Sequence, residues 1–522
     1  MSDSLPDLLL PDVFAAASQS DARWSAYCDS LAAARVSAAD LPATLGLLAD
    51  LTRRDDLATT LSEPLAADRF WSPVLEKLWC GLPAKALSES LDAVAVKCAA
   101  EIYRYLGADS RARPQLLRLL AGSGQRPALA TFAGLVVSDP PSETNDVLLA
   151  FVPLFQHKTY PADALFPRLL DAMHGPMLAT VVLDLANYLT RCGRVSRHPA
   201  AGRVERLSGL LGGMVNRLAR LEERPDEFAR SPAELNQIVS DSTGLVVALM
   251  NALAMIGDPR VAGKLHQTLE LSHRRVRTEA ASALARLGDE RGTEVLVDMA
   301  AEPVVRLRAL ATLEEIEQLE QVPQQYRSPE ARAEAELAVR LALPTYFGAP
   351  PQRMELVDAC RQHWPGYEHE VDCYLFRYEY RLAERTLQGI GIAGPVVHAF
   401  RADLGDLPPQ DIYAAYAGWI TEHDEIREQA ADALTAADLA AWQRRRGELV
   451  GMDYDDPRLV KAGAFFGQIH YVATARRQGQ PGILVDDGLK VEWFSSTGAA
   501  RALGPEEAYL IVKGRKLLRG CL

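Results

Sequence analysis

The sequence predicts a mainly α protein, an α-solenoid of helical repeats followed by a smaller α+β C-terminal domain. Three observations lead there. The apolar share is 48% of 522 residues with only 7% aromatic, and it is carried by Ala and Leu, both strong helix formers. From about residue 41 to residue 342, apolar residues recur at helical spacing between short connections rich in Gly, Pro, Ser and Asp. Beyond residue 370 the pattern changes to alternation at period two.

A chain of 57.1 kDa exceeds one ordinary domain. The expected organisation is a partly helical N-terminal segment (1–40), the repeat array (41–342), a Pro/Gly-rich linker (343–351) and the α+β domain (352–522). The N-terminus is acidic and interrupted by proline, unlike a signal peptide. No stretch approaches the roughly 20 apolar residues of a membrane span, and the best run, Thr243–Ile256, is short and carries Asn251. The seven cysteines are odd in number and widely spaced, which favours reduced thiols. A cytoplasmic protein is expected.

The first helices follow from spacing. Leu91–Leu106 places Val94, Cys98, Ile102 and Leu106 on one stripe. Further helices are expected at 114–121, 128–137, 145–155, 161–173, 177–191 and 204–221. Short links between them favour antiparallel neighbours. No strand is expected before residue 370.

The most informative stretch is Thr243–Ile316. Ala254-Met-Ile-Gly-Asp-Pro-Arg recurs as Ala285-Arg-Leu-Gly-Asp-Glu-Arg about 31 residues on, and Val276-Arg-Thr-Glu-Ala-Ala-Ser-Ala-Leu as Val305-Arg-Leu-Arg-Ala-Leu-Ala-Thr-Leu after about 29. Gly257 and Gly288 suit the left-handed residue that closes a helix. Asp258 and Asp289 then stand where a carboxylate caps the next helix, and Pro259 takes the first helical position, where its missing N–H costs nothing. Val276, Ala280, Leu284 and Leu287 form the stripe of the second helix.

This pattern resembles the HEAT repeat, in the short form typical of the bilin-lyase-like HEAT family, over roughly residues 243–316. The second Val-Arg unit departs from it: Thr312 replaces the second Ala, and no Gly-Asp follows Leu313, as in a terminal capping repeat. The resemblance implies that Arg277 and Arg306 have structural roles, paired with the nearby Gly-Asp aspartates. Arg274, Arg275 and Arg308 lack such a partner in the motif and are the expected partner-binding cations. The family also includes chromophore lyases, and HEAT-like DNA glycosylases form another enzymatic branch. The repeat itself carries no catalytic residues.

In the C-terminal domain, Gln352–Trp364 is expected as a helix. Val371–Leu382 is expected as a strand, with Tyr374, Phe376, Tyr378 and Tyr380 on one face. Pro395–Phe400 is a second strand, Pro409–Leu434 helical, and 464–475, 482–485, 489–494 and 509–512 a small sheet. Asp486-Asp-Gly488 marks a tight turn.

Cys360, His363, His369 and Cys373 have a metal-like spacing. The helix and strand expected to hold them do not converge, so no metal and no cofactor is expected. Gly389-Ile-Gly-Ile-Ala-Gly394 matches a dinucleotide-binding glycine pattern, but Pro395-Val-Val follows where that motif needs a helix. His398, Asp403 and Asp406 lie close in sequence, and His470 adjoins Tyr471, without a nucleophile arrangement. The chain has no G-x-S-x-G, P-loop or HExxH motif.

A formal charge of −13 repels nucleic acid and anionic membranes in the absence of a local basic patch. The expected function is a protein-interaction scaffold or adaptor with one or more protein partners, acidic at the arginine ridge. An enzyme with its site in the C-terminal domain is the alternative, and a nucleic-acid-binding repeat protein the third.

Overall fold

Apolar residues at helical spacing build helix after helix as far as residue 341 in the computed structural model, which describes all but residues 1–3, 35, 55–63, 81–88, 109, 142, 383–384, 401–403, 421–425, 466, 498–500 and 520–522. Among the described residues the first helices are α1 Leu5–Leu8, α2 Pro11–Ala17, α3 Asp21–Ala33, α4 Leu41–Thr52, α5 Pro64–Cys80, α6 Ala93–Tyr105, α7 Arg113–Gly122, α8 Arg126–Ser138 and α9 Thr144–Gln156. Then come α10 Pro176–Arg191, α11 Val204–Glu223, α12 Pro232–Ile256, α13 Ala262–Leu269, α14 Arg274–Arg286, α15 Glu290–Met299, α16 Pro303–Glu315, α17 Gln324–Arg327 and α18 Pro329–Leu341. Two compact units result, Met1–Leu296 and Val297–Leu522.

In the first unit α11 pairs with α12, and α13 with α14. Helices α10, α12 and α14 neighbour one another in one layer, α11 and α13 in the other. This two-layer stacking is the solenoid pattern. Helix α12 is long and apolar enough to cross a membrane by length and composition. Here its Leu245, Val246, Leu249, Met250 and Leu253 are buried within the protein.

Two expectations for this part need correction. The stripe of α6 holds at Cys98, Ile102 and Leu106, which are buried, but Val94 is 67% exposed and Ala95, Ala99 and Tyr103 join the buried face instead. Residues 161–173 form two short 3-10 turns, Ala162–Ala164 and Arg168–Ala172, because Pro167 cannot continue a helical hydrogen-bond ladder.

The second unit adds α19 Pro409–Trp419, α20 Ala436–Gly451 and α21 Pro505–Leu518 to two antiparallel sheets. The first sheet has the order β1 (Arg353–Gln362), β2 (Val371–Leu382), β3 (Arg385–Ala393), β4 (His398–Ala399). The second runs β5 (Ile426–Ala430), β6 (Tyr454–Phe465), β7 (Gln468–Arg477), β8 (Gln480–Asp486), β9 (Val491–Ser495). Strand alternation then dictates layers. Tyr374, Phe376, Tyr378 and Tyr380 of β2 pack on Ala333, Leu337 and Leu341 of α18. The opposite face, Cys373, Leu375, Ile390 and Ile392, packs on Ile412, Tyr413 and Tyr416 of α19 and Ile511 of α21. Helix α21 also covers the second sheet through Tyr509 and Val512, and α20 closes that sheet's far face through Trp442 and Leu449.

The structure departs from the expected boundary and elements here. Residues 343–351 do not behave as a free linker. Phe347 stacks on Tyr380 at 4.4 Å, Tyr346 packs on the sheet, and α18 belongs to the second unit. Residues 353–362 are an edge strand, not a helix, and a bulge between Leu356 and Asp358 breaks the alternation that would have revealed it. Among the described residues of the expected helix 409–434, 409–419 is α-helical, Ile426–Ala430 is β5 and Ala431–Ala433 is a 3-10 turn. Residues 509–512 lie in α21. The expected turn joins β8 to β9: Gly488 has φ 81°, and Asp487 accepts the Leu489 and Lys490 N–H groups at 2.9 and 2.8 Å.

Candidate functional site

The repeat turns are built from the expected residues. Gly257 closes α12 at φ 74°, and Asp258 accepts the Arg260 N–H at 3.0 Å. Gly288 has φ 81°, and Asp289 accepts the Arg291 N–H at 3.1 Å while its other oxygen meets His266 Nε2 at 2.9 Å.

The arginines of the motif fare differently from one another. Arg306 is 2% exposed. Its guanidinium donates to the carbonyls of Ala300 (2.7 Å), Ala331 (2.7 Å) and Ala301 (3.2 Å), and to Glu334 at 2.6 Å. Its carboxylate partner is therefore a glutamate of α18, where the resemblance implied a Gly-Asp aspartate. Arg277 is half-buried, and its Nε has no hydrogen-bond partner.

Arg274 and Arg275 are exposed on the first turn of α14, which His273 caps by accepting the Val276 N–H at 3.4 Å. Arg308 is half-buried and stands in the second unit. Arg275 has an electrostatic neighbour that the motif did not reveal. Asp184 of α10 reaches solvent, yet desolvation by crowded surroundings raises its carboxyl to about 6 against the opposing pull of Arg191 and Arg275.

Of the metal-like set, register places Cys360 directly opposite Cys373. Burial raises both thiols, Cys373 to about 12. His363 points to Glu370, with Nε2 and Oε1 4.0 Å apart, and His369 is exposed. Among the described residues no three His, Cys, Asp or Glu side chains converge as a metal group.

The glycine pattern has a packing explanation. Gly389 and Gly391 lie within β3, where a Cβ would strike the Tyr378 ring and the Leu337 side chain. Gly394, at φ 113°, lies against the Asp372 carbonyl. An antiparallel strand thus stands where a dinucleotide motif needs a strand-to-helix turn.

His398 stacks on Trp419 at 4.1 Å, its Nδ1 lies 3.2 Å from the Tyr346 hydroxyl, and burial lowers its pKa. Asp406 is exposed, and Asp403 lies outside the described residues. His470 and Tyr471 project to opposite faces of β7. Tyr471 packs on Trp442 at 5.2 Å, whereas His470 is fully buried between Phe465 and Tyr509 with neither ring nitrogen hydrogen-bonded. Burial lowers the His470 pKa to about 4.

Two features of the second unit were not legible in the sequence. A cavity of about 820 Å³ is walled by Phe347, Phe400, Leu404 and Leu510, with His398 and Glu506 as polar groups in its lining. Glu506 pairs with Lys461 (2.6 Å), Lys461 with Glu428 (2.9 Å), and Glu428 with the buried Lys513 (2.7 Å). Burial alone would raise Glu428, but Lys513 and Lys461 outweigh it and hold the carboxyl below its ordinary value. The advance signal for this cluster is the i, i+4 spacing of Tyr509 and Lys513, which the strand-like run Tyr509-Leu-Ile-Val512 masks.

Residues 235–315 match the family described as HEAT repeats. The match covers a segment of the chain, and it coincides with the recurring Gly-Asp and Val-Arg elements. No curated protein and no solved structure matches the chain.

Proposed function

We propose that the protein is an interaction scaffold whose HEAT segment docks a protein partner along the layer formed by α10, α12 and α14. The observation that supports this is the lateral succession of those helices in one layer, the arrangement by which solenoids present neighbouring helices as one extended surface. Arg274 and Arg275, at the exposed start of α14, are the proposed contacts to an acidic region of the partner, and Arg308 is the proposed contact on the second unit. A photo-crosslinking residue placed at position 275 should capture one stoichiometric partner in the native cell. The same residue at Gln267, exposed on α13 of the other layer, should not. Purified partner must then rebind the wild-type chain and rebind Arg274→Ala/Arg275→Ala more weakly. Identical crosslinking from both positions refutes the reading.

A second reading is favoured by the cavity of about 820 Å³, a concave site suited to a small molecule, with His398, whose pKa burial lowers, set in an apolar wall. In that reading the C-terminal unit binds or transforms a ligand beside His398. Native mass spectrometry of protein from its own cell tests it, since Leu404→Trp should expel a co-purifying molecule. Identical spectra for the two proteins refute it.

A further inference from the structure

A second cleft, of about 620 Å³, opens in the first unit between the segment after α10 and the turn that ends α12. Its charged wall consists of Arg197, Arg203, Arg206, Arg260, Glu205 and Asp258. Both carboxylates are engaged by Arg260: its Nε and Nη2 meet Asp258 at 3.0 and 2.6 Å, and its Nη1 meets Glu205 at 2.9 Å. Arg203 is held by Asp171 at 2.8 Å. No ion pair or hydrogen bond among the described residues engages the side chain of Arg197 or Arg206. Two unneutralised guanidinium groups therefore face a cleft whose frame is already fixed.

The frame is rigid for a reason visible in the same segment. His198, next to Arg197, is 3% exposed and satisfied at both ring nitrogens, by Asn187 Oδ1 at 3.0 Å and the Ala200 N–H at 3.1 Å. Asn187 in turn donates to the Ala248 carbonyl at 3.0 Å, which ties the segment to α12. No ion pair of the fold accounts for Arg197 or Arg206 among the described residues. Arg203 is the N-cap of α11 and Arg206 its third residue, no side chain caps that end, and cations there oppose the helix dipole.

We propose that this cleft is a binding site for a small, multiply charged phosphate anion of the diphosphate type. Arg197 and Arg206 would grip it, and Arg203 and Arg260 would shape the wall. Guanidinium groups present forked N–H donors matched to phosphate oxygens, and two separate cations select a ligand with two charged centres over a single carboxylate or orthophosphate. The site is distinct from the α10–α12–α14 surface proposed for the protein partner, and it stands whether or not that proposal does.

Titration calorimetry of the full chain with inorganic pyrophosphate, without divalent metal, tests it. One saturable equivalent is expected, with orthophosphate weaker by about tenfold, the scale of one charge-assisted contact. Arg197→Ala/Arg206→Ala should weaken pyrophosphate by at least about tenfold on the same scale, while Arg275→Ala, outside the cleft, should not weaken it. Without ligand the double variant should melt at or above the wild-type temperature, because it removes cations from a helix start. A parallel titration with ADP separates a nucleotide source, which would bind more tightly than pyrophosphate, from a free anion, which would bind at least as tightly. The proposal is overturned by absent or unsaturable pyrophosphate binding, by equal binding to the double variant, or by a double variant that melts lower.

Discussion

Replacing Arg306 with methionine removes the guanidinium from a site 2% exposed while keeping much of the side-chain volume. Four acceptors are then deprived at once: the carbonyls of Ala300, Ala301 and Ala331 and the carboxylate of Glu334. Breaking a buried charge network from one side typically costs about 3–5 kcal/mol, because the abandoned groups remain desolvated. For a unit of this size each kcal/mol moves the melting midpoint by about 2–4 °C. Differential scanning calorimetry should therefore show the transition of the second unit falling by roughly 10 °C. Arg306→Lys should recover only part of it, since one ammonium cannot span four acceptors. Arg275→Ala, on an exposed turn, should stay within about 0.5 kcal/mol of wild type. Arg277→Ala should cost less than Arg306→Met, since its Nε makes no hydrogen bond. A midpoint for Arg306→Met within about 2 °C of wild type, less than one kcal/mol on the same scale, would refute the account.

Gly514→Ala should destabilise the second unit by about 1–3 kcal/mol or more, because the new Cβ would collide with the Ala414 carbonyl where α21 crosses α19; urea unfolding measures it. Acid should weaken both units in a defined window. Burial lowers His198 and His470 from 6.5 to about 4, so the unfolded chain binds more protons between those values, and stability falls as pH drops from about 6.5 toward 4. Each histidine contributes on the order of 3 kcal/mol to that loss, and His470→Phe should flatten the pH slope of the second unit in denaturant titrations at pH 7 and pH 5. A fragment beginning at residue 350 should be insoluble, and one beginning at 297 soluble, because only the longer retains the α18 residues that cover Tyr374, Phe376, Tyr378 and Tyr380. Sedimentation of the two expressed fragments decides this.

The repeat was legible because its information is local. A left-handed glycine, a capping aspartate and an apolar residue every fourth position each act within one turn of chain, so Gly257, Asp258, Val276 and Ala280 announce themselves. The C-terminal unit was less legible because its elements are defined by what covers them. Helix α21 lies between two sheets and is apolar on both sides, so Tyr509-Leu-Ile-Val512 shows no amphipathic period and has the pattern of a buried strand. The edge strand β1 does not show itself in the sequence because its bulge shifts the alternation midway. The Glu428–Lys461–Lys513 cluster draws on β5, β6 and α21, and no spacing rule connects residues so far apart in sequence.

The central position of α21 also links features that would otherwise seem separate. Its first turn supplies Glu506 to the cavity wall, and the same carboxylate holds Lys461 of β6. One turn on, Tyr509 lies beneath Lys461, whose Nζ is 4.1 Å from the ring centre, and Lys513 follows on the same side. Leu510, between them, belongs to the cavity wall. The cavity wall and the ion network therefore share this helix, which also packs on the second sheet. Displacing Glu506 leaves Lys461 with Glu428 as its one carboxylate partner among the described residues, and Glu428 already neutralises Lys513. One side chain thus stands in both the cavity lining and the ion network, and Glu506→Gln, which keeps the shape of the wall and removes the charge, tests whether filling the cavity alters the stability of the second sheet.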